Sequence, residues 1–375
     1  MKIGVVKEIK NSENRVAMIP GTVGPFIRAG HEVIIEKGAG LGSGFRDEEY
    51  AAAGAKMVDT AEEVWTTVDL LYKVKEILPQ EFKYLRDDLI IMTYIHSNAH
   101  KDQTEALMES KCVSIAFEDV SSDDPHKRWP LVANMGELAG KGGFLAALHF
   151  AQSINGGAGK LLANVCGVAT PVVTIIGAGH VGLGACELAS GFGCRVNVLD
   201  INYEAMLKAK EHFPDNVNFM FSNRANMVEC LKTSDVILNG ILWPKTRKDH
   251  LINREDLKMM KPGAMIIDVA CDDEGAVETC RSTSHDDPIY YEEGILHYCV
   301  DNIPSAFANT ASTTLANATL PFALAIANKG VKQAMKDDKH LRRGLTTIEG
   351  KLTLLETAEK LDLPYTDANE LAKEW

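Results

Sequence analysis

The chain has 375 residues, 46% of them hydrophobic, which suits two globular domains with substantial cores. A formal net charge of −13 without any basic tract argues against nucleic acid as a partner, because nothing is there to displace its counterions. No apolar run approaches the ~20 residues that a membrane-spanning helix requires, and eight scattered cysteines without a CxxC pair predict buried free thiols, a reducing cytoplasm and no metal site.

The opening MKIGVVKEIK enters a strand directly, so no signal peptide is expected. Lys2 to Val6 reads as a strand, Pro20 to Arg28 as a helix opened by proline, and His31 to Glu36 as a strand that ends at the glycine-rich segment 38–44. A helix over Asp47 to Ala53 follows. Three further short strands are predicted at Leu70 to Val74, Leu89 to Tyr94 and Ser114 to Phe117, ending beside Lys75, His96 and Glu118. In an open parallel sheet the ligand crevice lies outside the carboxyl ends of the strands, so these residues are expected to face one crevice. Met135 to Ala151 reads as a long connecting helix.

The stretch from Thr170 to Asp200 carries the most specific signal. An apolar run, Val172 to Ile176, leads into Gly177-Ala178-Gly179-His180-Val181-Gly182, then a helical pattern, then a second β-branched run ending on Asp200. This is the strand, glycine turn and helix of a dinucleotide site: Gly177 for the turn, Gly179 for close approach to a pyrophosphate, Gly182 for helix-on-strand packing. Asp200 suits the ribose hydroxyls of NAD and repels the 2′-phosphate of NADP, so NAD is the expected cofactor. Later strands are predicted at Val217 to Phe221, Val236 to Asn239, Ala264 to Val269 and Leu296 to Val300. The tail is predicted helical from Ala311 to Lys329 with a kink or break at Pro321, then over Thr346 to Asp362 and Ala368 to Trp375, crossing back onto the N-terminal domain.

The expected fold is α/β, two Rossmann-like doubly wound parallel-sheet domains with a cleft between them, linked by long helices. Residues 1–133 with 307–375 would form the substrate domain and residues 134–306 the NAD-binding domain.

MKIGVVKEIKNSENRVAMIP, LLYKVKE, TYIHS, GAGHVG, DVACDDEGAVETCRSTSHDDP, HYCVDNIPSAF and LANATLPFALAIANKG, in this order, resemble the alanine dehydrogenase family, which is similar to the α subunit of pyridine nucleotide transhydrogenase. The resemblance implies NAD-dependent oxidative deamination of L-alanine to pyruvate and ammonia. It places the substrate-binding residues at Arg15 and Lys75 and the catalytic residues at His96 and Asp272. Implied cofactor contacts are Gly136, His180, Val181, Asp200, Ser222, Ile241, Leu242, Val269, Arg281, Asn302 and Ile303, beside the glycines of the turn. A homo-oligomer, hexameric by resemblance, is implied too.

Several positions depart from the family pattern. Asn134 to Lys141 lacks an expected serine, Asp273 and Glu274 replace a glutamine and a glycine, Asn309 replaces a basic residue, and Ser97 and Asn98 are polar where the family is apolar. These suggest two alternatives: a same-family enzyme for a larger or basic amino acid, or one that condenses an amino acid with pyruvate. In a different class, a non-catalytic NAD-binding regulatory subunit would need no set like Arg15, Lys75, His96 and Asp272.

Overall fold

Apolar β-branched runs broken by glycine and proline set up strands and helices in turn from the first residues onward. The computed structural model describes every residue except 125–128, 245–246 and 272–274. The chain divides into one unit of residues 1–134 and 307–375 and another of residues 135–306. The first unit begins with β1 (Lys2–Val5), α1 (Pro20–Arg28), β2 (Glu32–Glu36), α2 (Asp47–Ala52) and β3 (Lys56–Val58). It continues with α3 (Ala61–Thr67), β4 (Leu70–Tyr72), β5 (Ile90–Thr93), α4 (Lys101–Glu109) and β6 (Val113–Ala116). Proline at the first turn opens α1, where its missing N–H leaves no hydrogen bond unmade.

Helix α5 (Ala133–Phe150) leads into the second unit, with β7 (Val172–Ile176), α6 (His180–Gly191), β8 (Arg195–Asp200), α7 (Tyr203–Lys210), β9 (Val217–Phe221) and α8 (Arg224–Thr233). Strands β10 (Val236–Asn239), β11 (Met265–Asp268), β12 (Ile289–Glu292) and β13 (Ile295–Tyr298) complete it. The chain returns to the first unit through α9 (Ala308–Lys329), α10 (Val331–Asp337), α11 (Lys339–Arg343), β14 (Leu345–Ile348), β15 (Lys351–Leu352), α12 (Leu355–Leu361) and α13 (Ala368–Glu374).

The strand orders are β15-β14-β6-β5-β4-β1-β2-β3 and β12-β13-β11-β10-β7-β8-β9. Within each sheet six parallel strands run in the doubly wound order 3-2-1-4-5-6. The order reverses between β1 and β4 in one unit and between β7 and β10 in the other. Those switch points are where a crevice opens at the carboxyl ends of the strands. Below them lie the cores: Val64, Trp65 and Leu71 on the first sheet and Ile237, Ile266 and Leu231 on the second are fully buried. Each such side chain contributes about 1.5–3 kcal/mol of burial.

The sheets are not wholly parallel. Strand β14 runs antiparallel to both β6 and β15, and β12 antiparallel to β13. The helix expected over Thr346 to Asp362 is corrected to a hairpin followed by the short α12. Thr346, Thr347 and Ile348 are β-branched, and Glu349 and Gly350 both take positive φ, 53° and 79°, as a two-residue hairpin turn requires. The Thr347 hydroxyl also meets Ser114 at 2.7 Å across β6. Pro321 neither breaks nor ends α9, which runs unbroken over 22 residues. Short elements without a strong apolar period, β3, α3, α4 and β12 among them, were not anticipated. The cysteines are mixed rather than uniformly buried: Cys166 is exposed and Cys271 and Cys280 are partly so.

Candidate active site

In the first unit the sheet brings Arg15, Lys75 and His96 to one end. Arg15 follows β1 and Lys75 follows β4, the two strands that flank the switch point, and His96 follows β5. Each position is fixed by a carboxylate. Glu13 receives the Arg15 Nε at 2.7 Å and Nη2 at 2.6 Å, which sets the plane of a guanidinium only 3% exposed. Glu8 accepts the amide N–H of Val74 at 2.6 Å and of Lys75 at 3.3 Å, anchoring the turn that carries the lysine. Glu118 accepts the amides of Ile95, at 3.0 Å, and His96, which holds His96 at a positive φ of 50°. A histidine tolerates that left-handed conformation better than a β-branched residue would.

The charges act on one another. Burial disfavours the Lys75 ammonium and the charges of Lys10 and Arg15 add to this, so its pKa is lowered even though Glu76 lies 3.7 Å away. His96 keeps one side of its ring in solvent, 43% exposed, but desolvation on the other side and the charge of Lys75 bring its pKa down to about 4. Its imidazole is therefore neutral at pH 7 and available as a proton acceptor. Burial and neighbouring Asp119 push the Glu118 carboxyl up to about 8. Burial opposes ionisation of Glu76, yet Lys75 and Lys10 outweigh it and pull its pKa to about 2.

Beneath these groups lies a buried network that sequence reading missed. Lys73 is 1% exposed and bonds Glu81 at 2.5 Å and Glu8 at 3.5 Å. Burial alone would deprotonate Lys73, but the two carboxylates reverse this and raise its pKa. Its only sequence signal was a lysine inside an apolar strand run, and its partners lie outside that strand, Glu81 eight residues on and Glu8 before α1.

In the second unit the cofactor candidates surround the other switch point. Gly177 has φ +104°, and a side chain there would meet Ile241. A Cβ on Gly182 would fall on the Gly177 carbonyl oxygen, so only glycine lets α6 start this close to β7. Gly179 faces open space, and α6 begins at His180 with its first N–H groups directed there. Gly136, at the start of α5, lies against His180 and Val181.

Asp200 ends β8 and accepts the amides of Ala178, at 2.6 Å, and Asn202, at 2.7 Å. A cavity of about 720 Å³ adjoins it, lined by Asp200, Ser222, Ile241 and Leu242 together with Arg224, Trp243 and Arg247. The last three were not anticipated. Arg224 is held by Asp256 at 2.8 Å, and Arg247 lies 4.3 Å over the Trp243 ring. A glycine cradle, a helix N-terminus, an acid at the tip of β8 and a half-apolar cavity together fit a dinucleotide.

Val269 follows β11, Arg281 lies 4.0 Å over the Tyr290 ring, and Asn302, with φ 64°, precedes the buried Ile303 after β13. Asp272, with Asp273 and Glu274, lies outside the described residues. Asn309 donates to the Ser43 carbonyl at 2.7 Å, tying the glycine-rich segment to α9. Among the described residues no helix is long and apolar enough to cross a membrane, and no three His, Cys, Asp or Glu side chains are arranged to hold a metal ion.

Comparison with known proteins places the chain by sequence and by fold. Residues 4–139 match the N-terminal and residues 144–354 the C-terminal domain model of alanine dehydrogenase/PNT. Alanine dehydrogenase of Methanococcus maripaludis is 43% identical over 375 residues, 100% of both chains. That of Bacillus subtilis is 40% identical over 371 residues, 99% of this chain and 97% of its own. A solved L-alanine dehydrogenase superposes with a TM-score of 0.91 at 37% identity, over 96% of this chain and 99% of its own. A transhydrogenase from Sinorhizobium meliloti shares the fold, with a TM-score of 0.79 at 21% identity over 94% of this chain and 98% of its own. Matched by both domain models and by full-length relatives, the chain belongs to the alanine dehydrogenase/PNT family.

Proposed function

We propose that the protein is an NAD-dependent amino-acid dehydrogenase that deaminates L-alanine oxidatively to pyruvate and ammonia, reversibly. The observation that carries this reading is the placement of Arg15, Lys75 and a neutral His96 at the same end of one sheet, in a chain whose other sheet builds a dinucleotide cradle.

Arg15, oriented by Glu13, receives the substrate carboxylate in the planar fashion that guanidinium favours. Lys75, anchored through Glu8, donates a hydrogen bond to the oxygen that forms as the imine is hydrated. Its lowered pKa makes that ammonium a stronger donor. His96 takes the proton released by water as it adds to the imine carbon and returns it as ammonia departs. Asp272 is assigned a share of the same proton traffic by the family resemblance. Bound NAD supplies the hydride acceptor, and the protein supplies orientation and charge.

NAD is favoured over NADP because Asp200 retains lone pairs beyond the two amide bonds it makes and would repel a 2′-phosphate. Among the departures from the family pattern, Asn309 commits one N–H of its amide to the Ser43 carbonyl, a bond within the fold that accounts for its presence without a larger substrate. A cytoplasmic homo-oligomer, hexameric by resemblance, completes the reading.

The test is steady-state NAD reduction at mildly alkaline pH with L-alanine, serine, 2-aminobutyrate, ornithine, lysine and arginine, with NADP as control. Turnover with alanine and NAD, lost by about 10²-fold or more in His96→Ala with NAD binding intact, is expected. Alanine inert in a protein that binds NAD would overturn the substrate assignment, and unchanged turnover in His96→Ala would overturn the mechanism.

A further inference from the structure

The turn that carries Lys75 is held by side chains. Lys73, just after β4, still pairs as a strand residue, its N–H meeting the Met92 carbonyl at 3.0 Å. Beyond it the amide N–H groups of Val74 and Lys75 go to Glu8 at 2.6 and 3.3 Å, that of Ile77 to Gln103 at 2.6 Å, and that of Leu78 to Glu81 at 2.9 Å. Thr93 on β5 donates to the Lys75 carbonyl at 2.7 Å.

Glu8 and Glu81 divide their two oxygens in the same way. Glu8 gives Oε1 to the amides of Val74 and Lys75 and Oε2 to the Lys73 ammonium at 3.5 Å. Glu81 gives Oε2 to the amide of Leu78 and Oε1 to the same ammonium at 2.5 Å. One lysine therefore ties the start of the turn to its end. That ammonium is fully buried and lies 5.9 Å from the centre of the Trp65 ring on α3. A buried ion triad is often no more stabilising than apolar side chains of the same volume. Fold stability thus gives no account of it, whereas the placement of the turn does.

We infer that Glu8, Lys73 and Glu81 are positioning residues for Lys75: the triad fixes both ends of the turn 74–78 and so sets where the Lys75 ammonium stands toward the substrate. Its consequence for turnover rests on the role proposed above for Lys75. Glutamine cannot replace either glutamate, because a side-chain amide has one oxygen and each carboxylate serves a donor at both of its own. With one donor unserved the turn loosens at that end. Lys75, whose side chain is 13% exposed, then gains water and loses its aim.

Such a substitution acts on Lys75 in two ways of opposite sign. Removing a nearby negative charge lowers the pKa of an ammonium, whereas readmitting water raises it. The charged groups that face Lys75 directly, Glu76, Lys10, Arg15 and Glu13, are unchanged in either variant. The direction of the shift therefore separates a positioning role from a purely electrostatic one.

The experiment compares the full-length protein with Glu8→Gln and Glu81→Gln in two readouts. Lys75 is titrated across the alkaline range by isotope-coded reductive methylation with formaldehyde and cyanoborohydride, read on its peptide by mass spectrometry. NAD reduction with L-alanine is followed over the same range, with NAD binding measured by calorimetry. A Lys75 midpoint raised by about one unit is expected in both variants. Turnover should fall by about tenfold or more, with the alkaline limb of its pH profile displaced and NAD binding intact. A smaller folded fraction would scale that profile without moving its limbs. A midpoint that falls or stays in place overturns the proposal, as does turnover that is unchanged or lowered by the same factor at every pH. If the unsubstituted protein does not oxidise alanine, the proposed function fails, and the Lys75 midpoint still decides the positioning. Should neither single variant fold, the triple variant Glu8→Gln, Lys73→Met, Glu81→Gln, which leaves none of the three charges buried, takes their place under the same criteria.

Discussion

Lys75 and His96 each lose part of the water that would stabilise their charged forms; Lys75 also faces the charges of Lys10 and Arg15, and His96 faces that of Lys75. That is why both pKa values fall, although Glu76 and Glu118 stand nearby. The sign of the pH effect follows from linkage. A histidine depressed from 6.5 to about 4 contributes stability that is complete above 6.5 and is lost as pH falls through 4. Glu118, raised from 4.5 to about 8, works oppositely: its contribution is complete below 4.5 and is lost as pH rises through 8. Replacing Lys75 by Gln removes the neighbouring charge without removing the bulk of the side chain. The His96 imidazole should then titrate higher, by on the order of one unit, and the acid loss of stability, still starting below 6.5, should be smaller and end at a higher pH. Proton NMR titration of the ring, with His96→Gln to assign the resonance, reads this directly; an unmoved midpoint would show that desolvation alone sets the shift.

At the scale of elements, legibility depended on whether a signal was local. The strand, glycine turn and helix at 172–191 could be read because each glycine answers a contact within the same β-α-β unit, as at Gly182 against the Gly177 carbonyl. The polar strand ends at Lys75, His96 and Glu118 were legible for the same reason: a short apolar run stops and a charged residue follows. The hairpin of β14 and β15 was not, because its strand character comes from pairing with β6, more than two hundred residues earlier in the chain. Nor were the carboxylates that set Arg15, Lys75 and Lys73, since acidic residues after a strand look alike until the fold assigns their partners. The tip of β8 offers a clean test of cofactor choice. Asp200→Asn retains an oxygen for the Ala178 amide, so the turn should survive, but the negative charge is gone. The ratio of kcat/KM for NAD to that for NADP should fall by about tenfold or more, chiefly through improved use of NADP; an unaltered ratio would mean that discrimination lies elsewhere in the cavity.

Both units use the same strand order, yet they are assembled differently from the chain. The second unit is continuous, whereas the first is completed only when residues 307–375 return to it. Strand β14 pairs with β6, and α9 places Leu315, Ala316 and Ile326 in its buried face, so residues 1–134 alone would leave a sheet edge unpaired and apolar surface uncovered. The domain model that covers residues 144–354 begins inside α5 and ends within the first unit, and so does not follow this division. A fragment of residues 135–306 should therefore fold cooperatively and bind NAD, because its six parallel strands, glycine cradle and cavity are all intact. Residues 1–134 should remain unfolded or aggregate, and mixing them with residues 307–375 should restore helix and a thermal transition. Circular dichroism melts of the fragments and calorimetric titration of NAD into residues 135–306 read these outcomes. A cooperative melt from residues 1–134 alone would show that β1 to β6 form an independent core, and that the returning tail decorates the first unit without completing it.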